Sequence, residues 1–502
     1  MRAIPATMAT QHPDNAQGPY WDTDDGFVAV HEEPEECVSS FRDLGVQEFM
    51  WDWEGKYADE SVIEKLLSQH FEYFKKNPLG KKKFLTFRLP NVWQEKGYSL
   101  IRALMVILTS EDLAEDVRFK DRPLFEAILP MTERAEQLLY IQRAFQKLAR
   151  FKSKVFSHRK NHNTEYVEII PLVEGVEHQT KVGELLAKYL RLHKRIFRKK
   201  PLYVRPFLAR SDPALVSGLT ANVLANKIAL SDIYDFGQRY DVAVYPIIGA
   251  GGLVFRGGLT PARAKKFAAE YAGVRTVTIQ SAFRYDNPLT EVKKALRYLE
   301  RHLQRRAAVR IPRSERAALL KVMRIFSKMY QSTLPRLIKD VSPIFAAVPR
   351  RRERRQHIGL LSYGRRVGKK SLPRAISFTA AFYSVGVPPE FLGTGRALLA
   401  LTDKERDLLK KYYRYFTDDL IEAGKYLNRE NLEGLARGNP AWKAVAEDIA
   451  LTEKYLGVRF GPRADRELLH RNLTSQLLLQ RKSQKDVSRL IVETGKLRKS
   501  LG

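Results

Sequence analysis

Cysteine is nearly missing from this 502-residue chain. Cys37 is the single one, which excludes intramolecular disulfides and any zinc site built from several cysteines. It reads as a small buried apolar residue. Long hydrophobic runs are missing too: the longest uncharged apolar stretch, 375–389, ends in prolines and falls short of the roughly 18 residues a membrane span needs. The N-terminal segment has no sustained apolar core of the kind a secretory signal carries and passes directly into Gln11-His12-Pro13-Asp14-Asn15. The expectation is a cytoplasmic chain with no membrane partner. There is no internal repeat, no low-complexity segment, and no early Gly-x-Gly-x-x-Gly after a strand, which argues against a dinucleotide-binding sheet.

Acidic residues are also short in supply, since 87 Lys+Arg less 57 Asp+Glu leaves a formal charge of +30. Such an excess invites a nucleic-acid partner, because phosphate backbones reward clustered cations. Yet 44% hydrophobic and 10% aromatic content excludes a disordered basic tail protein. The basic runs 81–83, 193–200 and 350–355 come with no zinc-finger, aromatic RNA-binding or helix-turn-helix signature. They read as solvated faces, and no nucleic-acid partner is expected.

What is present is an alternation of short β-rich runs with amphipathic helical stretches, the pattern of parallel strands joined by crossover helices. Eight candidate strands lie at 46–52, 83–88, 125–129, 167–173, 202–209, 242–248, 276–280 and 358–362. Several are near-continuous apolar runs, as strands covered on both faces are. The count predicts an α/β fold, a (β/α)8 TIM-type barrel over 1–375 with an N-terminal arm and a helical insertion near 286–350. Helical periodicity over 289–305 and 313–338 supplies the insertion, and the same periodicity over 402–427, 440–455 and 466–497 predicts an additional C-terminal helical layer over 376–502.

Chemistry in such a barrel collects at the C-terminal strand ends. Five of these ends carry arginine: Arg88, Arg210, Arg256, Arg284 and Arg365. Taken singly, each could pair with a surface carboxylate; repeated at equivalent positions, they imply a polyanionic substrate gripped by guanidinium forks. Glu174 and Asp212 end adjacent strands, about 4.8 Å apart in a sheet, so their carboxylates can share one hard cation such as Mg²⁺ or Mn²⁺; pairing with neighbouring arginines is the alternative. His12 is a solvated surface group if the N-terminal arm stays free. It becomes a proton-transfer group only if the arm folds over the barrel mouth.

These segments resemble the phosphoenolpyruvate carboxylases, most closely the short archaeal-type form. The resemblance rests on Met8-Ala9-Thr10-Gln11-His12-Pro13-Asp14-Asn15, Phe49-Met50-Trp51-Asp52-Trp53-Glu54-Gly55-Lys56, Phe84-Leu85-Thr86, Phe207-Leu208-Ala209-Arg210-Ser211-Asp212-Pro213-Ala214-Leu215, Phe255-Arg256-Gly257-Gly258-Leu259, Gln280-Ser281-Ala282-Phe283-Arg284-Tyr285 and the segment 372–383. It implies carboxylation of phosphoenolpyruvate by bicarbonate to oxaloacetate and phosphate, Mg²⁺ as cofactor, and a homotetramer. It further implies that Glu174 and Asp212 are metal ligands, that His12, Arg256 and Arg210 belong to the catalytic set, and that Arg88, Arg284, Arg365 and Arg374 bind substrate. There are two departures from the longer enzymes. Ile248-Gly249-Ala250 stands where they carry a His-x-Arg element, and the chain ends in Ser500-Leu501-Gly502 rather than an asparagine segment.

Overall fold

The computed structural model describes residues 3–22, 26–54, 58–95, 97–155, 165–353, 366–367 and 370–502. Eight parallel strands close into a barrel: β1 (Thr7–Thr10), β2 (Glu48–Asp52), β3 (Phe84–Arg88), β4 (Glu126–Leu129), β5 (Glu168–Val173), β6 (Phe207–Leu208), β7 (Ile247–Ile248) and β8 (Thr276–Ile279). Neighbours in the ring follow chain order, and β1 closes it by pairing with both β2 and β8. β6 and β7 are short because Pro206 and Pro246 precede them; proline donates no ladder hydrogen bond, and pairing resumes below it between Tyr203–Val204 and Ala243–Val244. The (β/α)8 expectation holds, and seven of its eight strands correspond to β2–β8.

The eighth does not. The N-terminal arm is itself a barrel strand, so the ring is complete without 358–362, which lies outside the described residues. Thr7-Met8-Ala9-Thr10 contains no β-branched aliphatic run and is only four residues long, so it leaves little trace in hydropathy. All four side chains are nevertheless buried. Met8 points into the barrel and Ala9 into the surrounding helix layer.

Side-chain alternation of period two sorts each strand into layers. Along β2, Phe49 and Trp51 join the core between barrel and helices, while Met50 joins an inner core with Met8, Ile128, Ile170, Leu172, Phe207 and Ile247. Glu48 and Asp52, on the same inward face, lie below and above that apolar plug. Below it, Arg205 donates to Glu48 at 2.7 and 3.0 Å, to Glu126 and to Thr276 at 3.1 Å, with Tyr203 donating to Glu126 from the side. Arg205 and Glu48 have no exposed side-chain surface.

The long insertion runs as Leu289–His302 and then Arg313–Ala347, the second continuing through Pro335 and Pro343. Its Leu319, Val322, Phe326, Tyr330, Leu334 and Leu337 recur every three or four residues and pack with Phe378, Phe382, Phe391 and Trp442 of the C-terminal helices. The helical stretch 466–497 divides into Asp465–Leu479 and Gln484–Arg498, with Ser483 capping the second through Asp486 N–H at 3.3 Å. Among the described residues no helix is long and apolar enough to cross a membrane.

Candidate active site

The C-terminal end of the barrel opens into a cavity of about 520 Å³ lined by the ends of β4, β5 and β6. Glu174 follows β5 and Asp212 opens the helix Ser211–Ser217 after β6; both are half-buried, and both line this cavity. β5 and β6 pair directly, so the expectation that the two carboxylates face one space is met. Glu174 is further fixed by Met131, whose backbone N–H donates to its Oε2 at 3.1 Å. Among the described residues no cluster of three or more potential ligands forms. A cation here would therefore rest on two carboxylates, with water and substrate oxygens completing its shell. The lining suits a cation, since Glu133, Glu177, Glu174 and Asp212 oppose one permanently charged residue, Arg134.

Arg88 ends β3 on the inward face. Its Nε and Nη2 donate to the two oxygens of Asp52 at 2.9 and 2.7 Å, and Nη1 meets Glu54 at 2.9 Å. Burial alone would lower its pKa, but Asp52, Glu54 and the nearby Glu174 outweigh that and move it upward. Arg88 is thus the cation beneath the metal-type carboxylates, already committed to two acids of its own.

His12 lies two residues past β1, diametrically across the ring from β5. It is half-buried, its Nδ1 is 2.9 Å from Thr10 Oγ1, and it stands at the mouth because its arm is a strand. The segment carrying it is held from below by two buried aspartates. Asp14 accepts from Ala282 N–H at 2.8 Å and from Arg256 at 3.0 Å; Asp286 accepts the N–H groups of Ala16 and Gln17 at 2.8 and 2.7 Å. Burial raises the pKa of Asp14 against the pull of Arg256, and pushes that of Asp286 up to about 8 against its two backbone donors.

Arg256 sits in the turn Val254–Arg256, itself fixed by Glu390, which accepts Phe255 N–H at 2.8 Å. Its guanidinium is buried and engages Asp14, Gln280 at 2.6 Å, Ser211 at 3.2 Å and the Gly502 carbonyl. Gly257 takes φ +134° against Ala250, a conformation and a space that exclude a side chain.

The remaining arginines diverge. Arg210 turns to Asn222 and the Tyr271 ring, 5.7 Å from its centroid, and does not line the cavity. Arg284 donates to Thr10 O at 2.7 Å, Ser40 Oγ at 2.8 Å and Glu36 at 3.0 Å, inside a buried cluster that includes Arg352. It braces β1 against the helix Glu33–Arg42. Arg374 is half-buried at the N-cap of the helix Ala375–Ser384, away from the cavity lining. Arg365 lies outside the described residues.

Comparison with known proteins resolves what kind of barrel this is. The sequence model described as phosphoenolpyruvate carboxylase matches residues 4–502. The chain belongs to the phosphoenolpyruvate carboxylase family. It is 44% identical over 480 residues to the phosphoenolpyruvate carboxylase of Oenococcus oeni, covering 95% of this chain and 94% of that protein. It is 44% identical over 478 residues to that of Leuconostoc mesenteroides, with the same coverages, and 35% identical over 521 residues to that of Metallosphaera sedula, over the full length of both. The archaeal-type resemblance noted in the sequence is borne out. Within this family frame, the strand end that sequence reasoning passed over is β4. Pro130-Met131-Thr132-Glu133-Arg134 follows the run 125–129 at once, and an arginine five residues beyond a buried strand is a signal of the same kind as the five selected.

Proposed function

We propose that this chain carboxylates phosphoenolpyruvate with bicarbonate, releasing oxaloacetate and inorganic phosphate, and thus acts as a carbon-carbon lyase dependent on Mg²⁺ or Mn²⁺. The observation that carries the reading is the pair Glu174 and Asp212, on adjacent strands of a family-matched barrel and lining one acidic cavity. These two residues would hold the metal. When bound, it would supply a Lewis acid for the enolate oxygen.

The reading gives the chain's own groups the remaining roles. Bicarbonate attacks the phosphoryl group, the enolate leaves, and carboxyphosphate loses its proton and breaks down to CO₂ and phosphate beside the enolate, whose carbon then attacks CO₂. His12, past the end of β1 with Nδ1 against Thr10, would accept that proton through Nε2. Arg256 orders the His12 segment through Asp14, and it reaches bicarbonate only by exchanging one of its present acceptors. Arg88, paired with Asp52 and Glu54, offsets part of the acidic charge beneath the cavity. Water must be kept from the enolate, since protonation diverts it to pyruvate.

The test is a coupled assay in which oxaloacetate is reduced to malate. Product formation that requires bicarbonate, phosphoenolpyruvate and a divalent cation together is expected; absence of bicarbonate-dependent product with every divalent metal tried overturns the reading. We propose a homotetramer as the assembly, to be measured by light scattering on the eluting protein.

A further inference from the structure

We propose that Arg134 contacts the substrate directly, its guanidinium taking one oxyanion group of phosphoenolpyruvate in the cavity that Glu174 and Asp212 line. This rests on the carboxylation reading above.

The first support is charge. Four carboxylates line the cavity, and Arg134 is the one arginine or lysine among the described residues that does so. An anionic substrate entering there meets net repulsion unless cations offset it, and a divalent ion on Glu174 and Asp212 offsets only part. The other arginines near the mouth are committed: Arg88 to Asp52 and Glu54, Arg256 to Asp14 and Gln280, Arg284 to Glu36. Arg134 has no carboxylate in salt-bridge reach among the described residues. Glu136, two residues on, is paired with Lys188 at 2.5 Å.

The second support is the turn that carries it. Met131 holds φ +49°, a left-handed conformation that costs a non-glycine residue free energy and persists only where surrounding contacts enforce it. Those contacts are present. Met131 N–H donates to Glu174, Thr132 N–H to Leu172 O at 2.9 Å, Thr132 Oγ1 to Leu129 O at 2.7 Å, and the N–H groups of Glu133 and Arg134 both to Gln137 Oε1 at 2.9 Å. The turn is bolted to the same carboxylate that is the metal-ligand candidate, so the Arg134 backbone and Glu174 hold a fixed relation while the side chain stays exposed. The helix Ala135–Val155 begins immediately after, and its positive end adds potential of the same sign.

The experiment uses the full chain with Mg²⁺ and compares wild type with Arg134→Gln, Arg134→Lys and, as a control for loss of a surface charge, Arg143→Gln on the exposed face of the same helix. Arg134→Gln is expected to raise KM for phosphoenolpyruvate by about 10- to 100-fold, the loss of one charge-assisted contact. Arg134→Lys recovers part of it, keeping charge without the fork, and Arg143→Gln leaves KM unchanged. Calorimetric titration with oxalate and with inorganic phosphate then reports which group is held: weakened oxalate assigns the carboxylate, weakened phosphate the phosphoryl group. A KM within twofold of wild type in Arg134→Gln, or unaltered binding of both anions, overturns the assignment. Because the titrations need no turnover, they judge Arg134 even if wild type fails to carboxylate, a result that would count against the function and not against the residue.

Discussion

At the lower end of the barrel Arg205 meets Glu48 and Glu126 with no solvent in reach; at the upper end Arg88 meets Asp52 and Glu54 beside an open cavity. Each cluster is one arginine between two acids, and the inner apolar core of Met8, Met50, Ile128 and their neighbours lies between them. The lower one is finished. Thr86, Tyr203 and Thr276 supply further hydrogen bonds to it, and every carboxylate oxygen of Glu48 and Glu126 accepts at least one. The upper one is followed by Glu174 and Asp212, half-buried and facing space. The same pairing of one arginine with two acids therefore stands at both ends, and what separates them is whether the neighbouring carboxylates are sealed in the barrel or line an open cavity.

The comparison can be broken most sharply at the open end. Glu174→Gln and Asp212→Asn are each expected to lower kcat/KM at least about 1,000-fold, as removal of a ligand to a Lewis acid does, while the thermal midpoint moves by only a degree or two. An inactive protein that is also unfolded would show the two ends to be alike. Arg205→Leu should do the reverse. Stranding two buried acids costs about 3–5 kcal/mol of stability, read from the denaturant midpoint, with turnover per folded molecule unchanged at low temperature. His12→Asn sharpens the picture at the mouth: carboxylation falls about 100-fold or more while phosphate release from phosphoenolpyruvate persists, measured by parallel phosphate and oxaloacetate assays. Unchanged carboxylation would remove His12 from the reaction.

A last effect concerns Asp286 under the His12 segment. Its pKa rises from 3.8 to about 8 in the folded chain, chiefly through burial, so the folded state binds its proton more tightly than the unfolded state. That contribution to stability is complete below the unfolded value and is lost as pH climbs through about 8. Denaturant midpoints at several pH values between 4 and 9 should show a decline that is shallower in Asp286→Asn.

Most of the barrel was legible because a strand buried on both faces must be apolar, and the runs behind β2 to β8 are. β1 was hidden by brevity: Thr7-Met8-Ala9-Thr10 carries too little hydrophobicity to stand out, and its place was assigned to 358–362 instead. The metal-type pair was legible for a geometric reason, since both residues sit at ends of neighbouring strands. The arginines were legible in position and not in direction. Arg88 is on a strand, where period two fixes it inward, and it does face the barrel axis. Arg210 and Arg284 stand at the start of and within short helices, where the aim of the side chain depends on partners such as Asn222 and Glu36 that lie distant or on other elements. Arg134 was overlooked because its run ends in an apolar Leu129-Pro130-Met131 with the charge delayed to the following turn.

The closure of the ring by β1 also sets a timetable. Residues 7–10 precede every other barrel strand in the chain, yet one of their two partners, 276–279, follows only after the six strands between them. Until then β1, paired only with β2, and the growing edge strand at the other end of the sheet expose unpaired backbone, a template for wrong partners. The contacts that hold the His12 segment from the β8 side, Ser281 N–H to His12 O and Ala282 N–H to Asp14, form only once β8 is in place. The ring thus closes in one step, and the segment that bears His12 is fixed with the final stave of the barrel.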